Sequence, residues 1–202
     1  MKTANIKKIE LDANLLRAAT PFSAKSDPRY YLHGIYLDSA GYITATNGHV
    51  MFRAPCLEAK ELQESLIINI KGTIPAKATK GMMTLIEGEK IGLIEFYNPI
   101  SAASHSTHEH RAFEIIDGKY PDVEKVIPTG DPIPTPFIGI NPDYVSLVSK
   151  AEKALGNRYS NAIFKFRGKN TAIEVNIKNH DYNALVIIMP IRIEEDQPEQ
   201  AA

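Results

Sequence analysis

The residues that come nearest to a chemical motif are His105, His108, Glu109 and His110, in the run HSTHEH. Imidazoles at this spacing can ligate zinc or nickel, and catalysis there would need one coordination position left open. The run lacks the helical two-histidine pattern of a metalloprotease, and no second ligand cluster accompanies it. The stretch around it, residues 98–110, reads as a polar, solvent-exposed loop. No metal and no other cofactor is expected. The single cysteine, Cys56, rules out an internal disulfide and reads as a small apolar filler suited to a reducing cytoplasm. No glycine-rich phosphate cradle and no nucleophile elbow interrupts the sequence, so no catalysis is expected.

Bulk properties then limit what kind of binding protein this is. Of 202 residues, 44% are hydrophobic and 23% charged, ordinary proportions for a globular chain with one large core or two small ones. No apolar run approaches the ~18 residues of a membrane helix, and the N-terminal stretch has no signal-peptide core, so no membrane partner is expected. The net charge of −1 announces no nucleic-acid partner, although a whole-chain sum can conceal a basic face.

The elements that must position any site fall into a unit used three times: a strand, a helical stretch, then three strands. The first unit opens with an alternating strand at 6–11. Asp12 is placed to cap a helix carrying Leu15, Leu16 and Ala19 on one face, closed by Pro21 and the Ser-Asp-Pro of 26–28. Strands are expected at 31–37, 42–46 and 50–54, with Asn47-Gly48 as a hairpin turn. The second unit begins with the apolar run 66–70. Its helical stretch, 71–83, is poor because Pro75 interrupts it and Gly72 and Gly81 weaken it. Strands resume at 84–87, 91–97 and 111–116. A connector with four prolines, ending at Pro136, is extended and stiff. The third unit has a strand at 137–140. A helix follows from Pro142, capped by Asn141 and stopped by Gly156-Asn157, with strands at 162–167, 172–177 and 184–191. The pattern is α+β, with antiparallel sheets and helices on one face.

Three stretches carry a resemblance to the bacterial DNA polymerase III beta subunit, the DNA sliding clamp. DPRYYLHGIYLDSAGYITATNGHVMFRAP (27–55) resembles that family's middle domain, with its R-Y-Y-L-N-G strand followed by A-T-D-G-H-R-L. FEIIDGKYPDVEKVIP (113–128) is similar to the same domain's closing signature, and ALVIIMPIRI (184–193) to the family's C-terminal strand. The three occur in the family's order, and the resemblance covers about 6–193. The resemblance implies the clamp fold, with helices lining a hole and sheets forming the wall. Residues 1–128 would then be one complete domain of two units, 129–136 a linker, 137–193 a half domain, and 194–202 a disordered acidic tail. The family's first domain and the front half of its last have no counterpart, so the usual ring of two three-domain chains cannot be copied.

The resemblance also implies partners: double-stranded DNA, a polymerase or clamp loader bearing clamp-binding peptides, and further copies of the chain, in the cytoplasm. Clamps hold DNA by diffuse positive charge, for which lysine is suited. The helical stretches offer Arg17, Lys25 and Arg29, then Lys71, Lys77 and Lys80, then Lys150 and Lys153. The family's peptide pocket maps onto Leu32, Thr46, Gly48, His49, Val50 and Met51 in the first unit. The closing signature adds Pro121, Lys125 and Val126, and the last strand adds Met189, Pro190, Ile191 and Arg192. Asn47 stands where the family usually has Asp, and Val50 where it usually has Arg, which alters the expected peptide preference. The acidic tail is placed to cover the pocket. An alternative keeps the fold without a ring: an adaptor or inhibitor that captures clamp-binding peptides.

Overall fold

The computed structural model describes residues 5–101, 104–159 and 161–193, and their side chains apart from 100–108. The acidic tail, 194–202, lies outside the described residues. In the first unit, β1 (Ile6–Asp12) alternates inward Ile9 and Leu11 with outward Lys8 and Glu10. Asp12 ends it and caps α1 (Ala13–Ala19), its carboxylate accepting the Asn14 N–H at 2.7 Å and the Leu15 N–H at 3.2 Å. Leu15, Leu16, Ala18 and Ala19 bury one face of that helix. Pro21 stops it in a 3-10 turn, Thr20–Phe22. The strand expected at 31–37 opens instead as a second 3-10 turn, Tyr30–His33, before β2 (Ile35–Asp38). A meander follows through β3 (Tyr42–Thr46) and β4 (Val50–Pro55). Cys56 sits behind it fully buried, and burial pushes its thiol up to about 12.

The second unit departs from its pattern. After β5 (Leu66–Ile70) no helix forms over 71–83. Residues 71–79 are irregular, with Gly72 at φ +87°, and β6 (Lys80–Ile86) takes the rest. Pro75 has no N–H to donate, and the carbonyls a helix would have used are served from α1. The Arg17 guanidinium donates to the Pro75 oxygen at 2.6 Å and to the Ala78 oxygen at 3.1 Å. Ile74 and Ala78 fill the core where helical side chains would have stood. The polar stretch 98–110 is no loop either: β7 (Ile91–Ser101) and β8 (Ser104–Ile115) form one long hairpin across it. Register shifts at Phe96/Tyr97 and Pro99/Ser101 absorb Pro99 in the ladder.

The third unit holds α2 (Pro142–Ala154), capped by Asn141, which accepts the Asp143 N–H at 2.9 Å. Then come β9 (Ile163–Lys165), β10 (Ile173–Lys178) and β11 (Asn183–Ile188). The strand expected at 137–140 is reduced to one bridge, Gly139 to Ile191. Among the described residues, eleven strands form one antiparallel sheet in the order β1-β6-β7-β8-β5-β2-β3-β4-β11-β10-β9. The first two units exchange their opening strands, β1 onto β6 and β5 onto β2. β4 pairs with β11, Val50 opposite Ile188 through Arg53 opposite Leu185, so the sheet runs on into the third unit. One core draws buried residues from all three units, and α1 and α2 pack against each other over it. No helix among the described residues is long and apolar enough to cross a membrane.

Candidate functional site

At the end of the β4–β11 seam the surface opens into a cavity of about 180 Å³. The β3–β4 hairpin supplies one wall. Asn47 closes its turn by accepting the N–H groups of His49 at 2.9 Å and Val50 at 3.0 Å, and Gly48 adopts φ +90°. The Thr46 hydroxyl is consumed locally, donating to the Val50 carbonyl at 2.8 Å and accepting the Gly48 N–H at 3.0 Å. What the hairpin presents is therefore mainly apolar. The opposite wall is the continuation of β11, where Ile187 and Met189 line the cavity and the Met189 N–H donates to the His49 carbonyl at 2.9 Å.

A third wall comes from residues 121–126, which fold into a 3-10 turn at Val123–Val126. Arg53, its side chain 10% exposed, pins that turn by pairing with Glu124 while lying 4.2 Å from the centre of the Tyr42 ring. Underneath, Leu32, Ile67 and Tyr120 make a small second cluster, and Tyr120 stacks on Tyr36 with ring centres 4.6 Å apart. Burial raises the Tyr120 phenol well above its ordinary range, keeping it neutral.

The rim carries the charge. Arg29 is gripped by Asp27, with Nε to Oδ1 and Nη2 to Oδ2 both at 2.8 Å, and this pairing holds the Asp27 carboxyl far below the usual carboxylate range. The guanidinium lies over Gly48, where an added Cβ would meet Nη2 at 2.5 Å. A side chain at 48 would displace Arg29 as well as strain the turn. The His49 ring lies parallel to Tyr144 of α2, 6.2 Å away, so the third unit's helix helps orient the rim.

Of the residues assigned to a peptide pocket, the structure brings together Leu32, Thr46, Gly48, His49, Val50 and Met51, with Pro121, Val126 and Met189. It does not bring in four others. Lys125 points to solvent and pairs with Asp122 at 3.2 Å. Ile191, whose backbone bridges Gly139, is absent from the lining, as are Pro190 and Arg192 on either side of it. Sequence reasoning missed Asp122, Val123 and Ile187, and grouped Arg29 with the DNA contacts. The signal for Ile187 was available: it stands two residues before Met189 in an extended strand, on the same side. Asp122 and Val123 lie inside the closing signature, between Pro121 and Lys125.

The basic residues divide in two. Arg17 is spent on the 75–78 carbonyls, and partial burial lowers its pKa from the usual arginine value. Lys71 pairs with Glu114 at 2.9 Å, and Lys80 with Glu10 at 3.2 Å. Lys25, Lys77, Lys150 and Lys153 are exposed, and no ion pair holds them among the described residues. No cluster of three potential metal ligands occurs among the described residues. His110 and Glu109 lie on β8, and the side chains of His105 and His108 lie outside the described residues. The cavity presents neither a nucleophile with a base nor paired acids; it can seat apolar side chains and orient them by its rim.

No protein-family model matches the chain, and no curated protein matches it in sequence. Solved structures do. A DNA polymerase sliding clamp from Pseudomonas aeruginosa matches at 16% identity over 96% of this chain and 68% of that one, with a TM-score of 0.60. DNA polymerase III subunit beta from Borrelia burgdorferi, in complex with a natural product, matches at 14% identity over 96% and 65%, with a TM-score of 0.62. A DnaN sliding clamp from Bartonella birtlesii, bound to griselimycin, matches at 18% identity over 92% and 66%, with a TM-score of 0.59. At such identities the likeness shows the fold. This chain has the sliding-clamp fold and spans about two thirds of the length of those chains.

Proposed function

We propose that the protein is a non-enzymatic, clamp-like replication scaffold. It associates with DNA without reading sequence and docks short peptides of replication proteins in the cavity at the β4–β11 seam. The observation that carries this reading is the convergence of two separate stretches on one cleft. The first-unit hairpin and the C-terminal strand lie some 140 residues apart, yet Met51 and Met189 line the same apolar hollow. Methionine and branched aliphatics suit the capture of varied apolar anchors, and Arg29 offers a charged rim contact. The test is a titration of a labelled peptide from a clamp-binding segment of a replicative polymerase, followed by fluorescence anisotropy. Saturable binding at one site per chain is expected; no saturable binding contradicts the reading.

DNA association rests on Lys77, Lys150 and Lys153, with Lys25 at the margin. This set is smaller than a full ring of helices would supply, because the second unit has none among the described residues. That deficit favours a second reading, a peptide-capturing adaptor that never encloses DNA. Retention on circular compared with linearised DNA separates the two. A clamp slides off free ends and stays on circles, and reversing the charge of Lys150 and Lys153 weakens its DNA association most at low salt. An adaptor shows neither behaviour.

A further inference from the structure

The third unit is the one unit whose strand exchange is unfinished. Within the first two units, each opening strand lies on the partner unit's first meander strand: β1 on β6 over seven residue pairs, and β5 on β2 from Ile35–Ile68 to Leu37–Leu66. β5 also pairs on its other edge with the end of its own unit's last strand, Ile68 opposite Ile115. The third unit reproduces the second half of this arrangement. Its opening segment, 137–140, bridges the end of its own last strand through Gly139 and Ile191, the Ile191 N–H donating to the Gly139 carbonyl at 2.8 Å. The first half is missing. The far edge of 137–140 carries no strand among the described residues, and β9 has a ladder with β10 alone. The chain's own connector reaches only the residues just beyond β9, where the Phe166 carbonyl accepts the Ile133 N–H at 2.9 Å.

We propose that a second copy of this chain completes the unit: 137–140 of each copy lies on β9 of the other, about a two-fold axis. The vacant edges are mutually complementary, because the segment lacking a strand and the strand lacking a segment belong to the same unit. A two-fold contact requires such self-complementarity. The exposed side chains agree with it. Ile138 and Ile140 pack on the core, so Phe137 stands on the opposite face, 52% exposed. On β9, Phe164 packs inward and Ile163 stands outward, 62% exposed. In the completed exchange of the first domain, the matching outward residues are Ile67 of β5 and Tyr36 of β2, which lie opposite each other and share a small apolar cluster with Leu32 and Tyr120. Exchange between copies sets Phe137 beside Ile163 in the same manner and removes two unsatisfied strand edges from solvent. The interface rests on the fold and not on peptide docking, since neither residue lines the cavity at the β4–β11 seam.

Light scattering on a size-exclusion peak, over a wide concentration range, is expected to give two chains or an even multiple of two. Phe137→Asp combined with Ile163→Lys changes exposed positions only, and is expected to halve that mass while leaving the circular dichroism and peptide binding unchanged. A cross-linking pair makes the contact explicit. Phe137→Cys and Ile163→Cys chains, mixed and oxidised, should give a covalent dimer that neither gives alone. A wild-type monomer at every concentration, a mass unmoved by the charged pair, or no mixed cross-link overturns the proposal.

Discussion

The first and second units begin from one pattern and end differently. In the first, Asp12 caps a seven-residue helix and a short meander closes on Asn47-Gly48. In the second, residues 71–79 stay irregular and the meander lengthens into strands of eleven and twelve residues. Neither unit is helical by its own propensity alone, since so short a helix is marginal without packing. The difference is where the backbone carbonyls find donors. α1 serves its own, whereas Pro75 and Ala78 depend on Arg17 reaching across from α1. The second unit is therefore held by the first, and the candidate site lies at the first unit's junction with the third, closed by the 121–126 segment that follows β8.

Removing Arg17 should break that dependence most visibly. Arg17→Ala leaves the Pro75 and Ala78 carbonyls without their charged donor, and should cost about 2 kcal/mol, as expected for hydrogen bonds to charged groups. Urea unfolding measures it, with hydrogen exchange expected to rise first in 71–79. Lys150→Ala, on the exposed face of α2, should fall within about 0.5 kcal/mol of the parent by the same assay. Equal losses would show that the second unit does not lean on the first.

The cavity sharpens the comparison at its other end. Met189→Ala should weaken peptide binding about tenfold or more, in line with the loss of a central apolar contact. Ile191→Ala, two residues on but outside the cavity lining, should leave affinity nearly unchanged. Anisotropy titrations of both variants decide whether the site ends where the strand leaves the seam.

The smallest effect is expected in the third unit, whose outer face is tied by Glu174. Its carboxylate takes hydrogen bonds from Lys165 at 2.8 Å and Arg167 at 2.7 Å. Burial works to raise its pKa, but the bonds from Lys165, Asn176 and Arg167 prevail and hold it at about 2. The folded value lies below the ordinary one, so the stabilisation is complete above about pH 4.5 and disappears as pH falls toward 2. Glu174→Gln should lower stability at neutral pH by about 1 kcal/mol and flatten the acid limb between those values. An acid limb unchanged by the substitution would place the titrating group elsewhere.

Much of this was legible in the residues. The capped helices were, because Asp12 and Asn141-Pro142 state their starts locally. Most strands were, because alternation is local too. What was not legible depended on distant partners. Residues 71–83 read as a weak helix, but the decisive donor, Arg17, lies 58 residues from Pro75. Residues 98–110 read as a loop because their polarity is that of an outer hairpin, whose cross-strand pairing leaves no trace in composition. The strand expected at 137–140 has the alternation of a strand but, among the described residues, a single bridge and no ladder. In the site, the first-unit positions and Met189 came from the resemblance. Ile187, Val123 and Asp122 emerged only when three separate segments were seen to share one hollow.

The central claim is that the cavity between the first unit and the C-terminal strand is the docking site, and the methionines can report on it directly. With methyl-labelled methionine, Met51 and Met189 report from the cavity while Met82 and Met83 report from β6 of the second unit. On adding the peptide, the account predicts that the Met51 and Met189 methyl resonances shift and saturate together while those of Met82 and Met83 stay fixed. Saturable binding that moves Met82 and Met83 and leaves Met51 and Met189 in place would contradict it.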